Sequence, residues 1–101
     1  MPDLLETVAS PRRRAILRHV WTDELTAGEI HRRAGDVTFG AISQHLGALA
    51  AAGAVQVRRE GRHRIYRANK ENLGPLALWL EQHWADQLNR LKDLAEAEET
   101  S

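Results

Sequence analysis

Two threonines, Thr26 and Thr38, each followed by an amphipathic run and then a glycine, constrain this chain more than any other feature. Thr26-Ala27-Gly28-Glu29 fits a capping box: the Thr26 hydroxyl accepts from the Glu29 amide, and the Glu29 carboxylate accepts from the Thr26 amide. Leu25 just before and Ile30 at the fourth helical position suit a hydrophobic staple. Gly35 then offers a left-handed stop. Thr38 caps the next helix, Val37 and Ile42 repeat the staple, and Gly53 supplies a second stop. Two capped helices joined by a turn of about four residues containing glycine outline a helix-turn-helix over about 26–53.

The second of these helices is read from its two faces. Ile42, Leu46 and Leu49 form an apolar stripe, while Gly40, Ser43, Gln44, Gly47 and Ala51 lie opposite. A solvated helix face ordinarily carries Lys and Glu. This one is small, polar and uncharged, which suits close approach to the major groove with an amide and a hydroxyl to read base edges. The plainer alternative is an Ala-rich helix with no such role.

A hairpin follows. Gly61-Arg62 makes a two-residue turn, so that Val55 to Arg59 pairs with Arg64 to Ala68. In that register Val55, Val57, Tyr66 and Ala68 share one face and Gln56, Arg58, Ile65 and Arg67 the other. Five arginines fall between positions 58 and 67, and Arg59, Arg62, His63 and Arg64 gather at the tip. Arginine can lie along phosphates or enter a narrow minor groove. A charged hairpin can also serve only to protect an edge strand, but that needs no excess of one sign.

Helices flank this unit. Leu4, Leu5 and Val8 mark a short N-terminal one, and Ser10-Pro11 caps and opens a second that carries Ile16, Leu17, Val20 and Trp21. Pro75 begins a long closing helix to about residue 99. Its stripe of Leu80, Trp84, Leu88, Leu91 and Leu94, with Trp79, is too wide for one small domain to cover. Packing against the same helix of a second copy is expected, with help from Leu4, Leu5 and Val8; Leu76 and Trp79 are assigned to packing on the wing side of the same chain.

Composition narrows the function. The formal net charge is zero, yet residues 10–70 carry 12 Lys/Arg against 5 Asp/Glu, and residues 71–101 carry 2 against 7. A basic middle suits a polyanion. With no cysteine there is neither a disulfide nor a thiolate metal site nor a cysteine nucleophile. Three serines, no glycine-rich phosphate loop and no His-Asp-Ser ordering argue against an enzyme. No apolar run is long enough for a bilayer, and Met1-Pro2-Asp3-Leu4 does not read as a signal peptide, so no membrane association and a cytoplasmic location are expected.

With these residues placed, the chain resembles the ArsR/SmtB family of winged-helix repressors over nearly its whole length. Ser10-Pro11-Arg12-Arg13-Arg14-Ala15-Ile16-Leu17 is similar to the family's D-P-T-R-x-x-I-L opening. Leu25 to Ile30 matches its first motif helix, and Ile42-Ser43-Gln44-His45-Leu46 its S-x-H-L recognition segment. Ala52-Gly53-Ala54-Val55, Arg59-Glu60-Gly61-Arg62 and Tyr66-Arg67 fit its wing pattern. The resemblance implies base contacts from Ser43 and Gln44 and wing contacts from Arg62 and Arg64; from the residues themselves, base contacts are expected from Gly40 and Thr38 as well, and backbone contacts from Arg59, His63, Arg32 and Arg33.

Departures matter as well. Metal-sensing members often carry E-L-C-V-C-D-L where this chain reads Glu24-Leu25-Thr26-Ala27-Gly28-Glu29-Ile30, and of the alternative His/carboxylate set only His83 and Asp86 remain. The expectation is therefore a mainly α winged helix-turn-helix filling residues 1–101, with a two-stranded β-hairpin wing over about 55–68 and a long terminal dimerisation helix. Such a chain binds double-stranded DNA as a homodimer, needs no cofactor or metal, and answers to an unidentified signal such as a small-molecule inducer. A protein-interaction module, and a metal-responsive repressor using His83 and Asp86 across a dimer, are the alternatives.

Overall fold

The computed structural model describes residues 3–100 and, for side chains, residues 3–98. In chain order it contains α1 (Leu4–Val8), α2 (Pro11–His19), β1 (Leu25–Thr26), α3 (Ala27–Ala34), α4 (Phe39–Ala51), β2 (Val55–Glu60), β3 (His63–Ala68), α5 (Lys70–Leu73) and α6 (Pro75–Thr100). Each helix from α1 to α5 begins on a side-chain cap. Asp3 accepts from the Leu5 amide, Ser10 from Arg13, Thr38 from Ala41 and Asn69 from Asn72. At α3 the box is reciprocal: the Glu29 amide donates to Thr26 Oγ1 at 3.2 Å and the Thr26 amide to Glu29 Oε1 at 2.9 Å. These bonds to the ionised form hold the Glu29 carboxyl below its usual range.

The expected two-stranded wing is the larger part of a three-stranded antiparallel sheet in the order β1-β3-β2. Leu25 pairs with Tyr66 and Thr26 with Ile65, so the residues that lead into the α3 cap also close the sheet's other edge. Two residues are too few to show an alternating pattern, which is why β1 reads in sequence only as a cap. The hairpin register is as expected, with Val55 opposite Ala68 and Val57 opposite Tyr66, and the pairing continues to Glu60 and His63 around Gly61-Arg62.

One core lies where α2, α3 and α4 meet the sheet and the start of α6. Ile16, Leu17, Val20, Ile30, Ile42, Leu46, Leu49 and Leu80 are essentially inaccessible. Trp21 meets Trp84 edge to face at 4.9 Å and pins α6 to the body. This placement divides the residues expected at the subunit surface into buried and exposed ones. Val8, Leu80 and Trp84 are 2%, 0% and 8% exposed, covered by their own chain, and Trp84 lies against Trp21 and under the Arg18 guanidinium. Trp79, expected inside, is half exposed, and Leu5, Leu78, Leu88, Leu91 and Leu94 are exposed with it. Every described residue from 85 to 98 is exposed. No helix among the described residues is long and apolar enough to cross a membrane.

Behind α4 the chain turns on Gly53, at φ +79°, and the Asn72 side-chain amide donates to the Gly53 carbonyl at 2.8 Å. A Cβ at Gly53 would collide with Asn72 Nδ2. Gly53→Ala should therefore lose about 1–2 kcal/mol to the left-handed backbone plus a further loss from the displaced Asn72 bond. In an Asn72→Ala background the same change should cost less. Equal costs in both backgrounds, from urea melts at one fixed protein concentration, would show that the Asn72 contact carries none of the loss.

Candidate nucleic-acid interface

The α3–α4 pair is set by burial on one side. Ile30 of α3 and Ile42, Leu46 and Leu49 of α4 are fully buried, and the turn between the helices is Gly35 to Thr38. Two side chains brace that turn. Arg12 of α2 pairs with Asp36 at 3.1 Å and draws its carboxyl below the ordinary range, and His31 Nε2 lies 2.8 Å from the Val37 carbonyl. With the inner stripe fixed, the residues left outward on α4 are Phe39, Gly40, Ser43, Gln44, Gly47 and Ala51, all exposed. Thr38 is exposed at the helix start, its hydroxyl oxygen occupied by the Ala41 amide at 3.1 Å.

This outward face is electrically neutral. From Phe39 to Ala51 the only titratable group is His45, half-buried on the flank. Desolvation, reinforced by Arg13 and Arg12, holds its imidazole below the usual value and hence uncharged near neutral pH. Gly40 and Gly47 stand out, since a Cβ at either would meet nothing within 4 Å. Nothing inside the chain asks for glycine there, although each weakens the helix by roughly 1 kcal/mol relative to alanine.

The wing sorts its arginines by face. On the side with Gln56 and Ile65, Arg58 pairs with both Glu24 and Glu60. On the same side Arg67 bonds Gln56 Oε1 at 3.1 Å and approaches Glu24 at 3.9 Å. Those two guanidiniums are thus compensated within the chain and tie the hairpin to the segment before β1. On the other side Arg59 and Arg64 sit directly opposite each other in the ladder. Like charges directly across a ladder destabilise it. Among the described residues neither of these side chains, nor that of Arg62 at the turn, has a hydrogen bond or ion pair. His63, opposite Glu60, is exposed beside them.

Of the remaining expected backbone contacts, Arg32 is exposed in the last turn of α3 and has no ion pair among the described residues, whereas Arg33 is already paired with Asp23 at 3.2 Å. Alternation in the sequence puts Arg58 and Arg59 on opposite faces, but the ion pair of Arg58 with Glu24, 34 residues away, is not visible there. Phe39, half exposed at the first position of α4, is absent from the expected base-contact set, although its place at the start of the helix is visible in sequence. His83 stacks flat on Trp79 at 5.1 Å, and Asp86 accepts from Gln82 at 3.1 Å. No group of three or more His, Cys, Asp or Glu side chains comes together among the described residues.

The sequence and fold that carry this uncharged helix face and its flanking arginines have known relatives. Residues 8–58 match the family described as a helix-turn-helix domain. A possible transcriptional regulator for arsenical resistance is similar at 34% identity over 92% of this chain and 96% of that one, with a TM-score of 0.69. The homodimeric winged helix-turn-helix DNA-binding domain of a possible ArsR-family regulator from Mycobacterium bovis is 32% identical over 81% and 74%, with a TM-score of 0.68. An ArsR-like transcriptional regulator from a Rhodococcus species is 28% identical over 97% and 89%, with a TM-score of 0.67. The comparison with curated proteins gives no match. In sequence, in fold and in the order of its motifs, the chain belongs to the ArsR family of winged helix-turn-helix transcriptional regulators.

Proposed function

We propose that the chain is a transcriptional repressor that, as a homodimer in the cytoplasm, occupies a palindromic DNA operator. The observation that carries this reading is the cross-strand pair Arg59 and Arg64, uncompensated beside Arg62 and next to a neutral, exposed helix face. A ladder position that repels itself in the free protein gains a counter-charge when phosphate lies against it. The helix supplies what charge cannot, through Ser43 and Gln44, with Gly40, Gly47 and the capping Thr38 allowing close approach.

The second copy is argued from α6. Every described residue of the helix beyond Trp84 is exposed, yet this stretch carries Leu88, Leu91 and Leu94 at helical spacing. A groove of about 370 Å³ lined by Leu5, Val8, Leu76 and Trp79 continues the apolar surface toward α1. A two-fold dimer would bury both and set two α4 helices roughly 34 Å apart, in successive major grooves. The similar Mycobacterium bovis domain is a homodimer. With no cysteine in the chain, release from the operator runs through a signal that needs no thiolate, such as a small-molecule inducer.

Selection from random duplexes followed by binding across a salt series tests the reading. A preferred palindrome is expected; an interaction module without a salt-sensitive duplex partner would overturn it. The two kinds of contact should separate. Arg62→Ala or Arg64→Ala should weaken matched and scrambled duplexes alike and flatten the log–log salt slope by about one unit per lost phosphate contact. Gln44→Ala should leave the slope nearly unchanged and cost about 1–3 kcal/mol on the preferred operator alone.

Gly47→Ala should stabilise the free protein by about 0.5–1 kcal/mol and yet weaken operator binding. A variant that gains stability and keeps full affinity would show that nothing approaches that glycine closely.

Sedimentation at micromolar concentration with chelator present should give a dimer for the wild type. Leu91→Glu should give monomers or aggregates with the winged domain still folded. A wild-type monomer would defeat the palindromic operator.

A further inference from the structure

We propose that Phe39 is a specificity-determining residue that reads the methyl group of a thymine in the major groove. The inference rests on the reading of α4 as the DNA-facing helix and adds a contact of a different chemical kind from Ser43 and Gln44. Phe39 occupies the first helical position of α4 and is 50% exposed. It belongs neither to the buried core nor to the partly buried shell packed on it. The first turn of a helix favours acidic and small polar residues, so local structure gives no reason for an aromatic ring there.

The ring is nevertheless held. His31 meets it edge to face at 5.8 Å and 87°, and His31 is itself anchored, its Nε2–H donating to the Val37 carbonyl at 2.8 Å. One side of the phenyl group therefore leans on α3 while the remainder faces outward. Ser43 lies four residues further along the same face. What such a group can recognise is narrow. It has no donor or acceptor and no charge, so phosphate and the polar base edges offer it nothing. The apolar feature that the major groove presents is the C5 methyl of thymine. Holding the ring before binding also lowers the entropy lost on contact.

The test uses the operator recovered by duplex selection, with each thymine replaced in turn by deoxyuridine, which removes the methyl and keeps the hydrogen-bonding edge. For the wild type, one position per half-site should lose about fourfold in affinity, the equivalent of ~0.8 kcal/mol for one buried methyl-sized group at tenfold per 1.4 kcal/mol. Phe39→Ala should bind the thymine and uracil duplexes equally, Phe39→Leu should retain part of the difference, and Gln44→Ala should retain all of it. Thermal melts of the free variants check folding, and the leucine variant carries the test if the alanine variant melts early. A wild type blind to every methyl would overturn the inference, as would a Phe39→Ala protein that keeps the full methyl dependence, and both leave the repressor reading standing. A wild type that binds no duplex at all would overturn that reading, and this inference with it.

Discussion

The complete burial of one row on α4, Ile42 with Leu46 and Leu49, is the constraint on which the remaining geometry rests. A helix fixed along one stripe has no rotational freedom left, so its opposite stripe is chosen by default. Burying three aliphatic side chains of this size is worth on the order of 1.5–3 kcal/mol each. That is large beside the total stability of a small domain. The outward residues of α4 add little to that stability, and two of them, Gly40 and Gly47, subtract from it. The chain thus separates the face that holds the helix from the face left exposed, and each is free of the other's demands.

The wing shows the same division by a different device. Alternation along a strand sends neighbouring side chains to opposite faces, so consecutive arginines, Arg58 and Arg59, meet different surroundings. Glu24 and Glu60 engage Arg58, whereas Arg59 faces Arg64 across the ladder. The ion pairs on the compensated face are solvent-exposed, so their value lies in orientation more than in energy. They tie the base of the hairpin to the segment leading into α3, the same helix whose turn presents α4.

Much of this is legible in the sequence because its causes are local. The Thr26–Glu29 box, the Ser10 and Thr38 caps and the Gly61-Arg62 turn are specified by side chains within three residues of the backbone groups they satisfy. The hairpin register follows from period-two alternation. Features that depend on distant residues are not legible. β1 exists only because Tyr66 and Ile65 come alongside Leu25 and Thr26. The apolar stripe of α6 is visible, but periodicity says which residues share a face and not what covers them. Leu80 and Trp84 are buried within the chain, while Leu88 and Leu91 are exposed. Trp79 and Leu80, adjacent and both large, cannot be assigned to outside and inside from sequence alone. Phe39 gives no signal of its own, because an aromatic next to a helix cap reads as ordinary packing.

The bare outer half of α6 bears on how such a protein changes over generations. Because residues 85 to 98 carry no part of the core, substitutions there leave the folding of the winged domain nearly untouched. Under the proposed reading of α6 as the contact between copies and α4 as the DNA-facing helix, two descendants of a gene duplication can drift in this segment until each recognises only its own kind, while both still read the ancestral DNA site. Under the same reading α4 can acquire a new target without disturbing the choice of partner. A regulator built this way diversifies along two independent axes, and neither requires the loss of a working fold on the way.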